Sequence, residues 1–150
     1  MLTGLQSADI LRTIQAAIAP VVLISAIGLL LLTLTARLGR IVDRSRLLAA
    51  ERRAGGGTEA LARIDDQLTI LSGRARLVRL AVALSATAIG LSGVLVVVLF
   101  VSMLLQVNVA LIAAMLFIAS MLSLVFAMLA FVRELFLALR ALDVEMGHLR

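Results

Sequence analysis

Residues 80–132 hold no charged side chain. Drawn as one helix, that stretch would be roughly 80 Å long at 1.5 Å per residue. The hydrocarbon core of a bilayer is only about 30 Å thick. The stretch must therefore turn back on itself, and its only strongly polar residues, Gln106 and Asn108, lie near its midpoint. This predicts two membrane spans, 80–105 and 109–132, joined by a very short outer loop, with Asn108 capping the later span. A further apolar run predicts a first span at 20–36. Hiding these runs in a water-soluble globule is excluded by composition. The chain is 63% hydrophobic and 15% charged, against about 25% charged residues in soluble domains, and small domains leave much of their surface exposed. The expected fold is all-α: an integral membrane protein with three transmembrane helices and a cytoplasmic antiparallel helical hairpin.

The charges give an orientation. All 14 cations are arginines: ten in 37–79, three in 133–150, and Arg12 alone before the first span. Cytoplasmic segments of membrane proteins carry the excess of Lys and Arg, so the N-terminus is expected outside and the C-terminus in the cytoplasm. Ahead of the first span Asp9 balances Arg12, which is the wrong flank for a cleaved signal peptide.

Residues 1–19 read as an interfacial amphipathic helix. Ser7 is placed to cap it, with Ile10, Leu11, Ile14, Ala17 and Ile18 on one face and Asp9, Arg12, Thr13 and Gln15 on the other. Pro20 suits the first turn of a new helix. Residues 37–79 read as a coiled-coil-like hairpin turning at the glycine run 55–57, with Thr58 capping the second arm. Leu61, Ile64, Leu68, Leu71, Ala75, Val78 and Val82 repeat at alternating spacings of three and four; Leu38, Ile41 or Val42, Ser45 and Leu48 answer them. Folding at the glycines is expected to bring Arg46 near Asp65 and Asp66. The tail, 133–150, carries a further seam at Leu135, Leu139, Leu142, Met146 and Leu149, is expected to pack beside the hairpin, and should fray at Gly147.

Four segments together resemble a known family: Pro20-Val-Val-Leu-Ile-Ser-Ala-Ile-Gly28; Arg37-Leu-Gly-Arg40-Ile-Val-Asp43-Arg44-Ser-Arg46; Arg74-Ala-Arg76; and Arg133-Glu134 opening the tail. The chain is similar, over nearly its whole length, to the bacterial membrane proteins grouped as domain of unknown function 2721. The pattern departs from that family at Ala36, where an asparagine is usual, and at Gly73, where the family's arginine cluster is fuller. The resemblance implies a multi-pass protein of the bacterial inner (plasma) membrane and no particular activity.

The chemistry-bearing residues are few. Arg37, Arg40, Arg44, Arg46, Arg74, Arg76, Arg79 and Arg133 should gather at the inner interface. There they serve as snorkelling anchors or as a site for anionic lipid head groups or a cytoplasmic protein partner. Asp43, three residues from both Arg40 and Arg46, reads as their helix-surface partner. In the spans, Ser25 and Gly28, then Ser85, Gly90, Ser92 and Gly93, then Ser120 and Ser123 are positions for close helix packing or for lining a pore. Ala83 and Ala86 share a seam with Gly90 and Gly93, beside the seam of Ser85, Ser92 and Ser102. No ionisable residue lies within a span, which argues against a coupled transporter. There is no cysteine, so thiol chemistry is absent; His148 is the sole histidine and reads as a surface residue. The glycine run lacks the Lys-Ser/Thr of a phosphate loop, and no aromatic platform for nucleic acid is present. No catalytic set, metal site or cofactor is expected. The reading is a non-enzymatic homo-oligomeric scaffold with a basic cytoplasmic stalk; the alternative is a homo-oligomeric channel with a hydroxyl-lined pore.

Overall fold

A computed structural model describes residues 2–55 and 57–147, with side chains over 10–55 and 57–138. His148 and the tail seam from Leu139 onward lie outside the described residues or side chains. The described chain forms three helices and no strand: α1 (Leu2–Ala54), α2 (Thr58–Leu105) and α3 (Ala110–Gly147). Each is long and apolar enough to cross a membrane. Their uncharged stretches, 13–36, 80–105 and 110–132, are roughly 35–39 Å long at 1.5 Å per residue. That exceeds a hydrocarbon core of about 30 Å.

Two expectations at α1 are revised. The helix does not restart at Pro20, which lies inside it and is buried. The missing proline N–H leaves the Ala16 carbonyl without its helical donor, a local loss that membrane helices tolerate. The helix also begins at Leu2, upstream of Ser7, so Ser7 does not open it. The apolar residues Ile10, Leu11, Ile14 and Ile18 are exposed, and only Ala17 of that face is buried.

Both connections follow from backbone chemistry. Gly55 takes φ 80° directly after α1, the left-handed conformation that glycine adopts without a Cβ penalty. The Leu61 N–H donates to the Gly57 carbonyl at 3.2 Å, so Gly57, not Thr58, occupies the N-cap of α2. At the other end Gln106 takes φ 53° and the Val107 N–H reaches back to the Ser102 carbonyl at 3.2 Å, a Schellman-type stop. The Ala113 N–H donates to the Val109 carbonyl at 2.9 Å, so Val109 holds the N-cap position of α3, and Asn108 just before it caps the helix through its side chain, its Oδ1 accepting from the Ala110 N–H at 3.0 Å.

Burial repeats every 3.5 residues along each helix. In α1 it falls on Pro20, Ile27, Leu34, Ile41 and Leu48; in α2 on Val78, Ala81, Ser85, Ala88, Ser92 and Leu95; in α3 on Ser120, Ser123, Ala127, Ala130 and Glu134. The chain divides into two compact units. One comprises Met1–Leu31 and Leu84–Phe126; the other comprises Leu32–Ala83 and Ala127–Arg150.

In the first unit the buried α2 and α3 residues are mostly small, while Val94, Val97, Leu104, Leu111, Phe117 and Phe126 are exposed. This inverts the pattern of a soluble core. Lipid tails solvate leucine as well as a protein interior does, so helix association in a membrane relies on close approach and hydrogen bonds. In the second unit the arm seam expected from sequence is the buried one. Ile41, Leu48, Ala75 and Val78 are buried, and Leu38, Ser45, Leu61, Ile64, Leu68 and Leu71 are half-buried.

Candidate functional site: a buried carboxylate held by two arginines

The second unit contains a charged cluster that follows from the α3 repeat. Positions 113, 120, 127 and 134 are seven apart, so the residue after Ala113, Ser120 and Ala127 on that seam is Glu134. Its side chain is 1% exposed. A lone buried carboxylate would be strongly unfavourable, and both of its oxygens are met. Arg37 of α1 donates from Nη1 to Oε2 at 2.9 Å. Arg74 of α2 donates from Nε at 3.2 Å and from Nη2 at 2.9 Å to Oε1. One side chain of α3 is thus bonded to each of the other two helices. Arg37 also lies over the Phe131 ring at 5.2 Å, within cation–π range.

The cluster forms the wall of an open cavity of about 440 Å³, lined further by Arg40, Arg44, Ile41, Leu71, Leu135 and Ala138. Arg37, Arg40 and Arg44 share one face of α1 at spacings of three and four. Arg40 and Arg44 are exposed and have no ion-pair or hydrogen-bond partner among the described residues. Four guanidiniums thus face one carboxylate.

The other predicted arginines separate from this group. Arg79 lines an adjoining apolar groove and donates to its own helix at the Ala75 carbonyl, 3.3 Å away. Arg133 is exposed beside Leu129 and Phe136. Arg46 and Arg76 are exposed, and Arg46 does not pair with Asp65 or Asp66. Instead Arg52 bonds Asp65 at 3.0 Å. Asp43 has no ion pair among the described residues.

Three serines of the first unit bond between α2 and α3. Ser120 donates to the Ala88 carbonyl at 2.9 Å, so its contact with Ser92 Oγ at 2.7 Å takes the Ser92 proton. Ser123 donates to the Leu84 carbonyl at 2.8 Å. Ser85 Oγ is buried and lacks a partner. Ser25 is exposed and bonds its own helix at Val21. Gly90 is exposed, Gly28 and Gly93 half-buried, and a Cβ at any of them would meet nothing within 4 Å. The glycine seam therefore faces away from the serine seam, as does Ala86.

A family model described as "Protein of unknown function (DUF2721)" matches residues 17–144. The chain belongs to that family. The matched span includes Arg37, Arg74 and Glu134. No curated protein and no solved structure shows significant similarity to the chain.

Proposed function

We propose that this DUF2721 member is a non-enzymatic, multi-pass protein of the bacterial inner membrane. Its N-terminus lies outside and its C-terminus in the cytoplasm, and it acts as a homo-oligomeric scaffold. The arms of α1 and α2 form an antiparallel cytoplasmic hairpin whose basic surface meets anionic head groups and a partner protein. The observation that carries this reading is the three-helix tie at Glu134. It is a carboxylate with both oxygens engaged by guanidiniums, an arrangement suited to holding helices in register and unsuited to acid–base chemistry. The Arg52–Asp65 pair across the glycine turn supports pairing of the arms within one chain. The charge asymmetry across the spans supports the orientation. The outward face of Ala86 and Gly90 supports contact between copies, since small residues let helices approach closely in lipid.

The buried serines favour packing over a hydroxyl-lined pore, because Ser92, Ser120 and Ser123 bond within one chain. The test of the scaffold is assembly. Native mass spectrometry of detergent-solubilised protein should give one oligomer across a dilution series, and a Gly90→Cys variant should cross-link between chains in membranes. A monomer throughout, with no cross-link, removes the homo-oligomeric scaffold. A liposome flux abolished by Ser92→Leu would instead establish the channel.

A further inference from the structure

The cavity beside Glu134 carries an imbalance that the three-helix tie does not use. Arg37 and Arg74 satisfy the carboxylate, yet Arg40 and Arg44 line the same cavity with no partner among the described residues. Guanidinium groups stay protonated, so the cavity wall keeps a surplus of three positive charges over Glu134's one negative charge. Arg37 retains its Nε and Nη2 donors, and Arg74 retains Nη1, beyond the bonds to Glu134. These side chains are 28% and 24% exposed, so such donors are reachable from outside. The opening of about 440 Å³ falls within the range of about 300–1,000 Å³ usual for ligand pockets. Leu71 and Leu135 supply an apolar wall. The charges are also well placed along the chain. Arg37 is the first charge after the apolar run of α1, and Glu134 follows the first charge of α3.

We infer that the cavity bounded by Arg37, Arg40, Arg44 and Arg74 binds a phosphate monoester. A monoester carries close to two negative charges and three acceptor oxygens. Planar guanidinium forks recognise such oxygens in pairs, with both geometry and charge favourable. Arg40 and Arg44 make the primary contacts, because they alone have all their donors available. A phosphodiester, with one charge, fits this surplus less well. Glu134 is buried and ion-paired through both oxygens with Arg37 and Arg74, so its charge is already offset and does not repel the anion. The source of the monoester is either the head group of a lipid entering sideways or a soluble phosphate compound. The site goes beyond the scaffold reading and stands whether or not the chain forms oligomers.

The experiment uses the full-length protein in detergent micelles, with native mass spectrometry as the readout. The titrated probes are phosphatidic acid, phosphatidylglycerol, phosphatidylcholine and inorganic phosphate. The double variant Arg40→Gln with Arg44→Gln is compared with a charge-matched double variant, Arg46→Gln with Arg76→Gln, whose arginines lie outside the cavity. Helicity by circular dichroism checks that both fold. Phosphatidic acid should bind the wild-type chain more tightly than phosphatidylglycerol, with no binding of phosphatidylcholine. The cavity variant should lose on the order of tenfold to a hundredfold in affinity, and the matched variant less than about threefold. Competition by inorganic phosphate at comparable concentration assigns the soluble source; its failure to compete assigns the lipid. Equal weakening by the two double variants would reduce the site to diffuse surface charge and overturn it, as would a wild-type chain that binds none of the phosphate probes.

Discussion

Removing the arginines around Glu134 should harm the fold more than removing Glu134 itself. The reason is the difference in exposure: the glutamate side chain is 1% exposed, whereas Arg37 and Arg74 are 28% and 24% exposed. In Glu134→Ala the two guanidiniums lose their acceptor but can turn toward water, so the expected loss is about 1–3 kcal/mol. In the double variant Arg37→Ala with Arg74→Ala the carboxylate stays buried without a partner. Stranding one charge of a buried pair costs about 3–5 kcal/mol, and the loss of Arg37 from Phe131 adds roughly 0.5–1 kcal/mol. For a chain of this size each kcal/mol moves the midpoint by about 2–4 °C. The assay is thermal unfolding in detergent, followed by circular dichroism because the chain has no Trp or Tyr. Adding Glu134→Leu to the double-arginine variant should restore part of its stability, since no charge is then left buried. If the triple variant is less stable than the double, or if Glu134→Ala is the most damaging change, the stranded-charge reasoning is wrong.

Other outcomes follow from the same contacts. Gln106→Gly should raise stability by about 0.5–1 kcal/mol, because Gln106 holds φ 53° where glycine carries no Cβ penalty; a lower midpoint would contradict the turn assignment. Ser85→Ala should be neutral or slightly stabilising by the same melt, since its buried hydroxyl has no partner. Ser120→Ala should cost roughly 0.6–2 kcal/mol through the contacts to Ser92 and Ala88, a loss that Ser92→Ala partly reproduces. Asp65→Ala should change stability by less than about 1 kcal/mol, and less still at high salt, because its pair with Arg52 is about half exposed on both sides.

Much of the helical plan is legible in the residues. The uncharged run 80–132 with Gln106 and Asn108 at its centre fixes the turn between α2 and α3, and Asn108 caps α3 as its side chain allows. The alternating three-and-four spacing in the arms predicts which residues are buried, because that period follows from helix geometry alone. The Glu134 site is less visible. Arg133 and Glu134 together read as the start of a polar tail, since a charge at the end of an apolar run normally marks exposure. The signal that separates them is the repeat of Ala113, Ser120 and Ala127 continued to 134. Sequence counts Arg37 and Arg74 among the arginines expected at the membrane interface, but their common partner depends on the rotation of three helices, which spacing on one helix does not define. The same limit applies to the two small-residue seams of α2. Sequence places Ser85 and Ser92 beside Gly90 and Gly93, and only packing decides that the serines turn inward. The pair expected at Arg46 falls instead at Arg52, because which arginine of the first arm reaches Asp65 depends on helix rotation and side-chain reach, which spacing along one arm does not define.

The placement of the Glu134 cluster on the cytoplasmic side can be tested through thiols, since the chain has no cysteine. Val107→Cys, in the short loop, and Ala62→Cys, on the arm of α2, both put a thiol at an exposed position. Intact cells are treated with a membrane-impermeant maleimide before and after permeabilisation. The proposed orientation predicts labelling of Val107→Cys in intact cells and of Ala62→Cys only after permeabilisation. Labelling of Ala62→Cys in intact cells would put the arginine-rich end outside and contradict it.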